Sequence, residues 1–470
     1  MAADELCSLG VLDLAGSYRR SEVSPVEVVQ AHLDRCERLN PVLNAYLVLM
    51  RDSAMEAARA AEALFRAGID LGLLQGVPIS VKDLIRVQGT RTTAGSRVLL
   101  EAPVDQTDAW VVRRMRAAGS IIIGKTNLHE FAIGNPDSLG PFGLVQNPRR
   151  VGWHPGSSSS GAGAAVAAGL GVVGIGTDTG GSVRIPAALC GVVGLKPTTG
   201  SISLEGIIPL SWTLDSVGPL ARQVKDVAVV LAVLRNSGGL ETEGDFLGRL
   251  NETVRGWRVG VPRGEFYEKV QAAVRDAFEG TLRALKELGC QLIDFEPPDP
   301  AEMVRLTVVI MQAEGSAYHQ RYRQYDHLYG DNFREHIFPG RELKAVTYLE
   351  ARERQRELRQ DWLNLSRGFE VLVTPGGPAV APPHGVNTVD IQGSPVPFRD
   401  ALSRLTRPFN FLGWPALCLP NGMNDEGLPT GLQIAGPPGC ERRLLLLGHH
   451  LEQALRIVDK LGIEPRTGKA

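Results

Sequence analysis

The sequence lacks most features that mark secreted, membrane-spanning or disulfide-stapled proteins. Its 470 residues contain only six cysteines, which are scattered and form no C-x-x-C pair. Such cysteines in a long chain are typical of reduced thiols, so we expect a cytoplasmic location. No apolar run approaches the roughly 20 residues that span a bilayer. The first ten residues include Asp4 and Glu5, which predicts no secretory signal.

Charge imbalance and metal-ligand spacing are also missing. The 50 basic and 52 acidic residues leave a net charge of −2, so electrostatics give no reason to expect a nucleic-acid or membrane partner. The nine histidines form no H-E-x-x-H motif. His449 and His450 are adjacent, which is a poor arrangement for one metal site. We therefore expect no bound metal.

The composition that remains is that of a globular protein, with 43% hydrophobic and 22% charged residues. Helical patterns alternate with apolar runs; one example is a helix at residues 108–118 followed by a buried strand at 120–123. Ser24 begins a capping box that opens a helix to about Leu39. This alternation predicts an α/β fold whose mixed, largely parallel central sheet is covered by helices.

The middle of the chain differs from both ends. Residues from about 264 to 370 show charged helical patterns and Pro-rich segments, and strand-like patterns return near the C-terminus. No linker is long enough to separate independent domains. We interpret residues 1–470 as a single domain with a core at 60–235 and 370–460 and a helical insertion at about 264–370.

The stretch at residues 156–197 has the most specific pattern in the chain. Four serines open an Ala/Gly helix pattern with Ser160 as a candidate N-cap, and an apolar run then leads to the turn TDTGGS, which ends at Ser182. Glycines in such a turn let successive backbone N–H groups converge and stabilise an oxyanion. A serine at its end is a candidate nucleophile. A Gly/Ser linker is a weaker interpretation, because a packed apolar run follows.

Three other functions were considered, but the sequence lacks the motif or the structural context that each requires. Residues 119–126 match G-x-x-x-x-G-K-[ST], yet three isoleucines inside the motif predict a strand. Residues 169–174 match G-x-G-x-x-G but follow a helical pattern. A Ser-His-Asp hydrolase is less consistent, because no G-x-S-x-G motif occurs. His129 is the histidine nearest to a motif, and we expect it to be structural or to line a pocket.

Taken together, these motifs resemble those of the amidase signature family of serine hydrolases. The matching segments are GSSSSG (156–161), DTGGSVRIP (178–186), GLKPT (194–198) and the lysine motif GVPISVKD (76–83). Ser158 and Ser182 are 24 residues apart, as in the family. Similarity extends over most of the chain and implies the amidase signature fold. The sequence departs from the family pattern at positions 157 and 160, where serines replace the usual glycines.

The resemblance implies a catalytic set of Lys82, Ser158 and Ser182. The residue matching Ser182 is the family's nucleophile, and the residue matching Ser158 connects it to a neutral lysine that matches Lys82. Lys82 ends an apolar strand pattern, and burial there would disfavour its charged form. Among the four consecutive serines the spacing selects Ser158, with Ser159 as the alternative. In the family the peptide bond before the bridging serine is cis and follows glycine, whereas Ser157 stands there in this chain.

The same resemblance implies roles for residues around this set. The backbone N–H groups that would hold the oxyanion belong to Thr179, Gly180, Gly181 and Ser182. Asp178 and Arg184 would support the turn by hydrogen bonding, and Phe131 and Ile133 would line the acyl pocket. The family mechanism requires no metal or organic cofactor.

The resemblance leaves three functions open. The first is a free-standing amidase acting on linear C–N bonds other than peptide bonds, in a small or medium amide. Aryl amides, carbamates and urea-type compounds are its candidate substrates. The aromatic residues in the middle of the chain, Tyr318, Tyr322, Tyr325 and Tyr329, favour this interpretation. The second is the glutaminase (A) subunit of a tRNA-dependent amidotransferase, which passes ammonia to partner subunits. The third, a catalytically silent binding module, is disfavoured by the retained lysine and serines. A homodimer is common among such relatives.

Overall fold

The computed structural model describes residues 1–133, 140–235 and 247–466. Within these residues the centre is an eleven-stranded sheet of order β1-β3-β2-β4-β6-β5-β12-β13-β9-β7-β8, and β10 and β11 form a separate hairpin. The strands are β1 (Tyr46–Leu49), β2 (Pro78–Lys82), β3 (Ile121–Thr126), β4 (Val173–Asp178), β5 (Val193–Lys196), β6 (Ser216–Ala221), β7 (Arg258–Pro262), β8 (Gln291–Phe295), β9 (Val371–Pro375), β10 (Thr388–Ile391), β11 (Ser394–Pro397), β12 (Ala416–Met423) and β13 (Pro429–Ala435).

The sheet is mixed. Parallel pairs join β2 to β3 and β4, and β7 to β8 and β9. Between these two groups the pairs that run from β4 through β6, β5, β12 and β13 to β9 are antiparallel. Strands β2 to β6, β9 and β13 are buried along their whole length, which requires helices on both faces. The predicted α/β fold with a mixed sheet covered by helices is confirmed. The predicted sheet was largely parallel, and among its described strand pairs four are parallel and six antiparallel.

Helices cover the sheet along the whole described chain. The α-helices are Ala3–Leu6, Val11–Arg19, Pro25–Leu43, Arg51–Arg66, Trp110–Ala117, Ser160–Ala167, Arg184–Cys190, Val224–Leu234, Glu265–Glu268, Ala272–Glu287, Pro300–His319, Asp331–Ile337, Ala345–Ser366, Phe398–Arg404, Arg407–Leu412, Glu441–Leu455 and Val458–Leu461. Short 3₁₀ helices lie at Arg97–Leu99, Glu130–Ala132, Gln320–Leu328 and Phe338–Glu342. None of the helices described here is both long and apolar enough to cross a bilayer.

Several local predictions can be compared with these elements. The capping box at Ser24 is present, and its helix continues to Leu43. The isoleucines that argued against a phosphate-binding loop lie in β3, as expected. Ser160 is not the N-cap that we predicted: it is the first helical residue, after Ser159, whose side chain makes no capping bond. The Ser159 hydroxyl instead donates to the Thr177 carbonyl of β4, 3.2 Å away. It therefore binds the sheet and does not cap the helix.

The middle of the chain is not wholly helical. Its long helices are Ala272–Glu287, Pro300–His319 and Ala345–Ser366, but β8 also lies within it and forms one edge of the sheet. The sequence QLIDF of β8 is short and partly exposed, so its pattern does not distinguish a strand from a connection. The division of the single domain into a core and an insertion remains our interpretation.

Candidate active site

Two neighbouring parallel strands bring the predicted lysine and the glycine-rich turn together. Strand β2 ends at Lys82 and β4 ends at Asp178. They pair in parallel through Ile79 with Val173 and Val81 with Ile175, so their carboxyl ends meet at one edge of the sheet. This edge is where α/β sheets commonly place their functional groups.

Lys82 contacts two hydroxyl groups. Its Nζ lies 2.8 Å from Ser158 Oγ and 2.9 Å from Thr177 Oγ1. The side chain is fully buried, and burial lowers the pKa of Lys82 to about 7, although the charges of Asp178 and Asp215 act to raise it. A large fraction of this amine is therefore neutral near pH 7, and a neutral amine can accept a proton.

Neighbouring residues in the run of four serines contact different parts of the site. The peptide bond between Ser157 and Ser158 is cis, and Ser158 presents its hydroxyl to Lys82. Ser159 donates its hydroxyl to β4, and its backbone N–H donates to the Ser182 carbonyl oxygen, 3.2 Å away. The structure thus brings Ser158 to Lys82 and joins the serine run directly to Ser182.

The turn after β4 is held by a buried ion pair. Asp178 accepts two side-chain hydrogen bonds from Arg184, at 2.9 and 3.0 Å, and backbone bonds from Gly181 and Val183. Burial raises the pKa of Asp178, but Arg184 more than offsets this and holds it well below its usual range. Arg184 also donates to Gln433. Asp178 and Arg184 therefore bond to each other within the turn, and Arg184 connects the turn to β13.

Gly181 cannot be replaced without moving its surroundings. Its φ of +123° lies in the region that favours glycine, and a Cβ there would stand 2.1 Å from Thr406 Oγ1. Thr406 fixes the turn by donating its hydroxyl to the Gly180 carbonyl at 2.6 Å. Of the four backbone N–H groups predicted to face an oxyanion, that of Gly181 donates to Asp178 at 2.8 Å.

Asp215 is a buried residue beside the turn that was not predicted from the sequence. This buried carboxylate accepts the Thr179 hydroxyl at 2.5 Å and the backbone N–H groups of Leu210 and Ser211. Burial raises its pKa to about 7. An aspartate that opens the apolar segment DSVGPLA was the available signal, because an isolated acid there needs buried partners. Through Thr179 it provides a second anchor for the turn, besides the ion pair of Asp178 and Arg184.

The two residues predicted to line an acyl pocket are both buried. Phe131 is fully enclosed, with its ring 4.4 Å from that of His319 and 5.5 Å from that of Phe333. Its φ of +44° is unusual for a residue with a side chain. Ile133 is 6% exposed. The structure places Phe131 in an aromatic cluster with the Pro300–His319 helix, and contact of either residue with a substrate stays a prediction.

His129 is buried in a group of histidines. Its ring stacks on that of His154 at 5.8 Å, and His154 in turn contacts His384. Burial, with smaller contributions from Lys82 and His384, lowers the pKa of His129 to about 4. The ring is therefore neutral at pH 7. Across the described ranges, no three His, Cys, Asp or Glu side chains have an arrangement that could hold a metal ion.

Comparisons with known proteins found similar sequences and similar structures. A sequence model of the Amidase family matches residues 27–445. The glutamyl-tRNA(Gln) amidotransferase A subunit of Anaeromyxobacter dehalogenans is 35% identical over 486 residues, covering 96% of this chain and 97% of that protein. A crystal structure of an amidase is 32% identical with a TM-score of 0.87, over 95% of this chain and 100% of the other. Native peptide amidase from Stenotrophomonas maltophilia is 29% identical with a TM-score of 0.84, over 98% and 99%.

Proposed function

The chain belongs to the amidase signature family, and from this we propose that it hydrolyses a carboxylic amide through an acyl-enzyme on Ser182, with Ser158 and Lys82 as the proton path. Membership makes it an amidase-family enzyme that acts on C–N bonds. The observation that carries the proposal is the 2.8 Å contact between Lys82 Nζ and Ser158 Oγ, made by a lysine whose pKa burial lowers to about 7.

The proposed reaction begins with proton transfer along this path. Neutral Lys82 accepts the Ser158 proton while Ser158 accepts that of Ser182, and Ser182 Oγ attacks the carbonyl carbon. The nitrogen is a poor leaving group until it is protonated, so Ser158 returns a proton to it as the C–N bond breaks. Water then attacks the ester of Ser182, which releases the carboxylic acid and restores the serine.

The glycine-rich turn would stabilise the negative oxygen formed in each step. Backbone N–H groups of Thr179, Gly180 and Ser182 are the proposed donors. Gly181 belonged to the predicted set, but its N–H donates to Asp178, so we propose that it shapes the turn instead. Donors held in advance by Asp178, Asp215 and Thr406 need little reorganisation, which is the physical basis of oxyanion stabilisation.

For the substrate, the names of the curated relatives favour the second function considered from the sequence. These relatives are the A subunits of glutamyl-tRNA(Gln) amidotransferases. This supports hydrolysis of the glutamine side-chain amide to supply ammonia to partner subunits, ahead of a free-standing amidase. The free-standing alternative keeps support from the likeness to peptide amidase and from the aromatic cluster around Phe131. That likeness gives no reason to exclude peptide-type amides.

Ammonia or amine release from a panel of amides tests both parts of this proposal. The panel contains glutamine, a peptide amide, an aryl amide and a carbamate, and the Ser182→Ala protein is the control. Release that is abolished in the control supports the nucleophile. Release from glutamine alone, enhanced by the partner subunits of an amidotransferase, supports the glutaminase function, whereas broad release supports the free-standing one. Release unchanged in Ser182→Ala contradicts the proposed mechanism.

A further inference from the structure

The turn that carries Ser182 opens to solvent beside an arginine. Within residues 177–182, Gly180 and Ser182 are the partly exposed positions and the others are buried. A Cβ on Gly180 would lie 3.3 Å from Arg407 Cγ and 3.6 Å from its Nε. The Arg407 side chain therefore passes directly along the exposed part of the turn.

The position of Arg407 is fixed by its neighbours in sequence. Thr406 donates to the Gly180 carbonyl at 2.6 Å. Three residues after Arg407, Asn410 donates to the Asp178 carboxylate at 2.8 Å and accepts from Arg184 at 2.6 Å. The helix that begins at Arg407 is thus attached to the turn at two points, so the backbone of Arg407 is held beside Gly180.

Arg407 and Arg399 have no hydrogen-bond or ion-pair partner in the part of the chain that the structure describes. Both side chains are half-buried. Burial, and to a smaller extent the charge of Arg407, lowers the pKa of Arg399 to about 10, and burial lowers the pKa of Arg407. Asp400 acts on both electrostatically, and Glu335 acts on Arg399, but neither carboxylate forms an ion pair with them.

A nearby arginine, by contrast, has partners within the protein. Arg404, on the helix Phe398–Arg404, donates to the Lys269 carbonyl and packs against the Phe266 ring. Burying a cation without a partner is unfavourable, so guanidinium groups in proteins are normally paired. Among the described residues Arg407 has no such partner, which leaves its guanidinium available to an acceptor that comes from outside.

We propose that Arg407 binds a carboxylate of the substrate, so that the preferred substrates are amides bearing an acid group a few carbons from the scissile carbonyl. Arg399 adds positive potential to the same mouth. The inference rests on the proposed function and sharpens it, because glutamine is such an amide and simple alkyl or aryl amides are not. The planar guanidinium matches a carboxylate through two parallel hydrogen bonds.

The test compares two primary amides that differ in the acid group. Glutaramate carries a carboxylate, and pentanamide is its uncharged counterpart. For Arg407→Met we expect kcat/KM on glutaramate to fall about 30-fold, mainly through KM, because a desolvated charge pair is lost. On pentanamide the change should stay below about threefold, since no charge pair is lost there. Arg407→Lys should retain part of the preference, and the matched control Arg404→Gln should leave it unaltered.

Two results would overturn the inference: native protein that does not prefer glutaramate, or an equal loss on both substrates in Arg407→Met. A binding measurement keeps it testable even if no amide is hydrolysed, which would be a failure of the proposed function instead. Calorimetry with glutarate on Ser182→Ala protein should show binding that weakens about 30-fold when Arg407→Met is added. Equal affinity of the two proteins, or no binding to either, contradicts the carboxylate site.

Discussion

Lys82 and Lys125 lie on adjacent strands and are both fully buried, yet they have different surroundings. Lys125 Nζ lies 2.6 Å from Asp83 Oδ1 and also donates to Thr92. Lys82 contacts two hydroxyl groups, Ser158 and Thr177. A carboxylate partner favours the charged ammonium, whereas hydroxyl groups can also accommodate a neutral amine.

The difference separates a structural lysine from a chemical one. Burial lowers the pKa of Lys125 and raises that of Asp83, and the attraction within the pair opposes both shifts. Around Lys82 the opposing charges, Asp178 and Asp215, act without an ion pair to the amine, and its pKa falls to about 7. Burial alone therefore does not make a lysine a base; Lys82 combines a lowered pKa with a direct contact to Ser158 and no directly bound acid.

The largest effect that separates the two lysines should be on turnover. We expect Lys82→Met to lower kcat by about 10³–10⁴-fold, because the base that accepts the serine proton is lost. In Lys125→Met, kcat of the folded protein should remain within about tenfold, since this residue touches no reacting group. Steady-state kinetics on the best amide of the panel measure both. Equal losses of kcat in the two variants would contradict the assignment of Lys82 as the base and Lys125 as a structural residue.

The free energy of unfolding should change in opposite directions when the two lysines are replaced. Lys125→Met leaves the Asp83 carboxylate buried without its cation, and we expect the free energy of unfolding to fall by about 3–5 kcal/mol. The double variant with Asp83→Leu should recover much of this loss, because no buried charge remains. Urea unfolding of the three proteins checks the expectation. A loss below about 1 kcal/mol in Lys125→Met would mean that the pair is dispensable.

Lys82→Met should instead stabilise the fold, by about 2–4 kcal/mol at pH 7. The folded pKa of Lys82 is depressed from 10.5 to about 7, so the unfolded chain binds one more proton between these values. Wild-type stability therefore rises with pH across this window, and the advantage of Lys82→Met is greatest at or below pH 7. Urea unfolding at pH 6.5 and 9.5 should show the advantage shrinking. A constant or growing advantage contradicts the low pKa.

The smallest expected effect is the pH dependence of the reaction itself. With the pKa of Lys82 near 7, kcat/KM should rise about tenfold from pH 6 to pH 8 and then level off. Lys125 should not contribute to this profile, and Lys125→Met should keep the same midpoint. A midpoint of the kcat/KM profile near pH 10 would mean that Lys82 has the pKa of an ordinary lysine, which contradicts the difference proposed between the two lysines.

The sequence predicted the parts of the site that depend on local motifs. Lys82 ends a strand pattern, and the 24-residue spacing selected Ser158, the serine that the structure brings to Lys82. Asp178 and Arg184, predicted to support the turn by hydrogen bonding, lie in one motif and bond to each other. These predictions depended on short motifs and on the family spacing between them, both of which can be read from the sequence.

The contacts that hold the turn from a distance could not be predicted in this way. Thr406, Asn410 and Gln433 bind the turn or Arg184, but nothing in their local sequence indicates which segment they meet. Edge strand β8 was missed because a short, half-exposed strand has weak periodicity. The unpartnered state of Arg407 is likewise a property of the folded surroundings.

The long-range bonds of Arg184 bear on when the site forms. Its side chain bonds Thr406, Asn410 and Gln433, which are 222 to 249 residues further along the chain. When the turn TDTGGS leaves the ribosome during synthesis, the residues that will bind Arg184 have therefore not yet been translated. Closing loops of this length is entropically costly and slow. We expect the nascent chain to be inert toward amides until β13 has emerged.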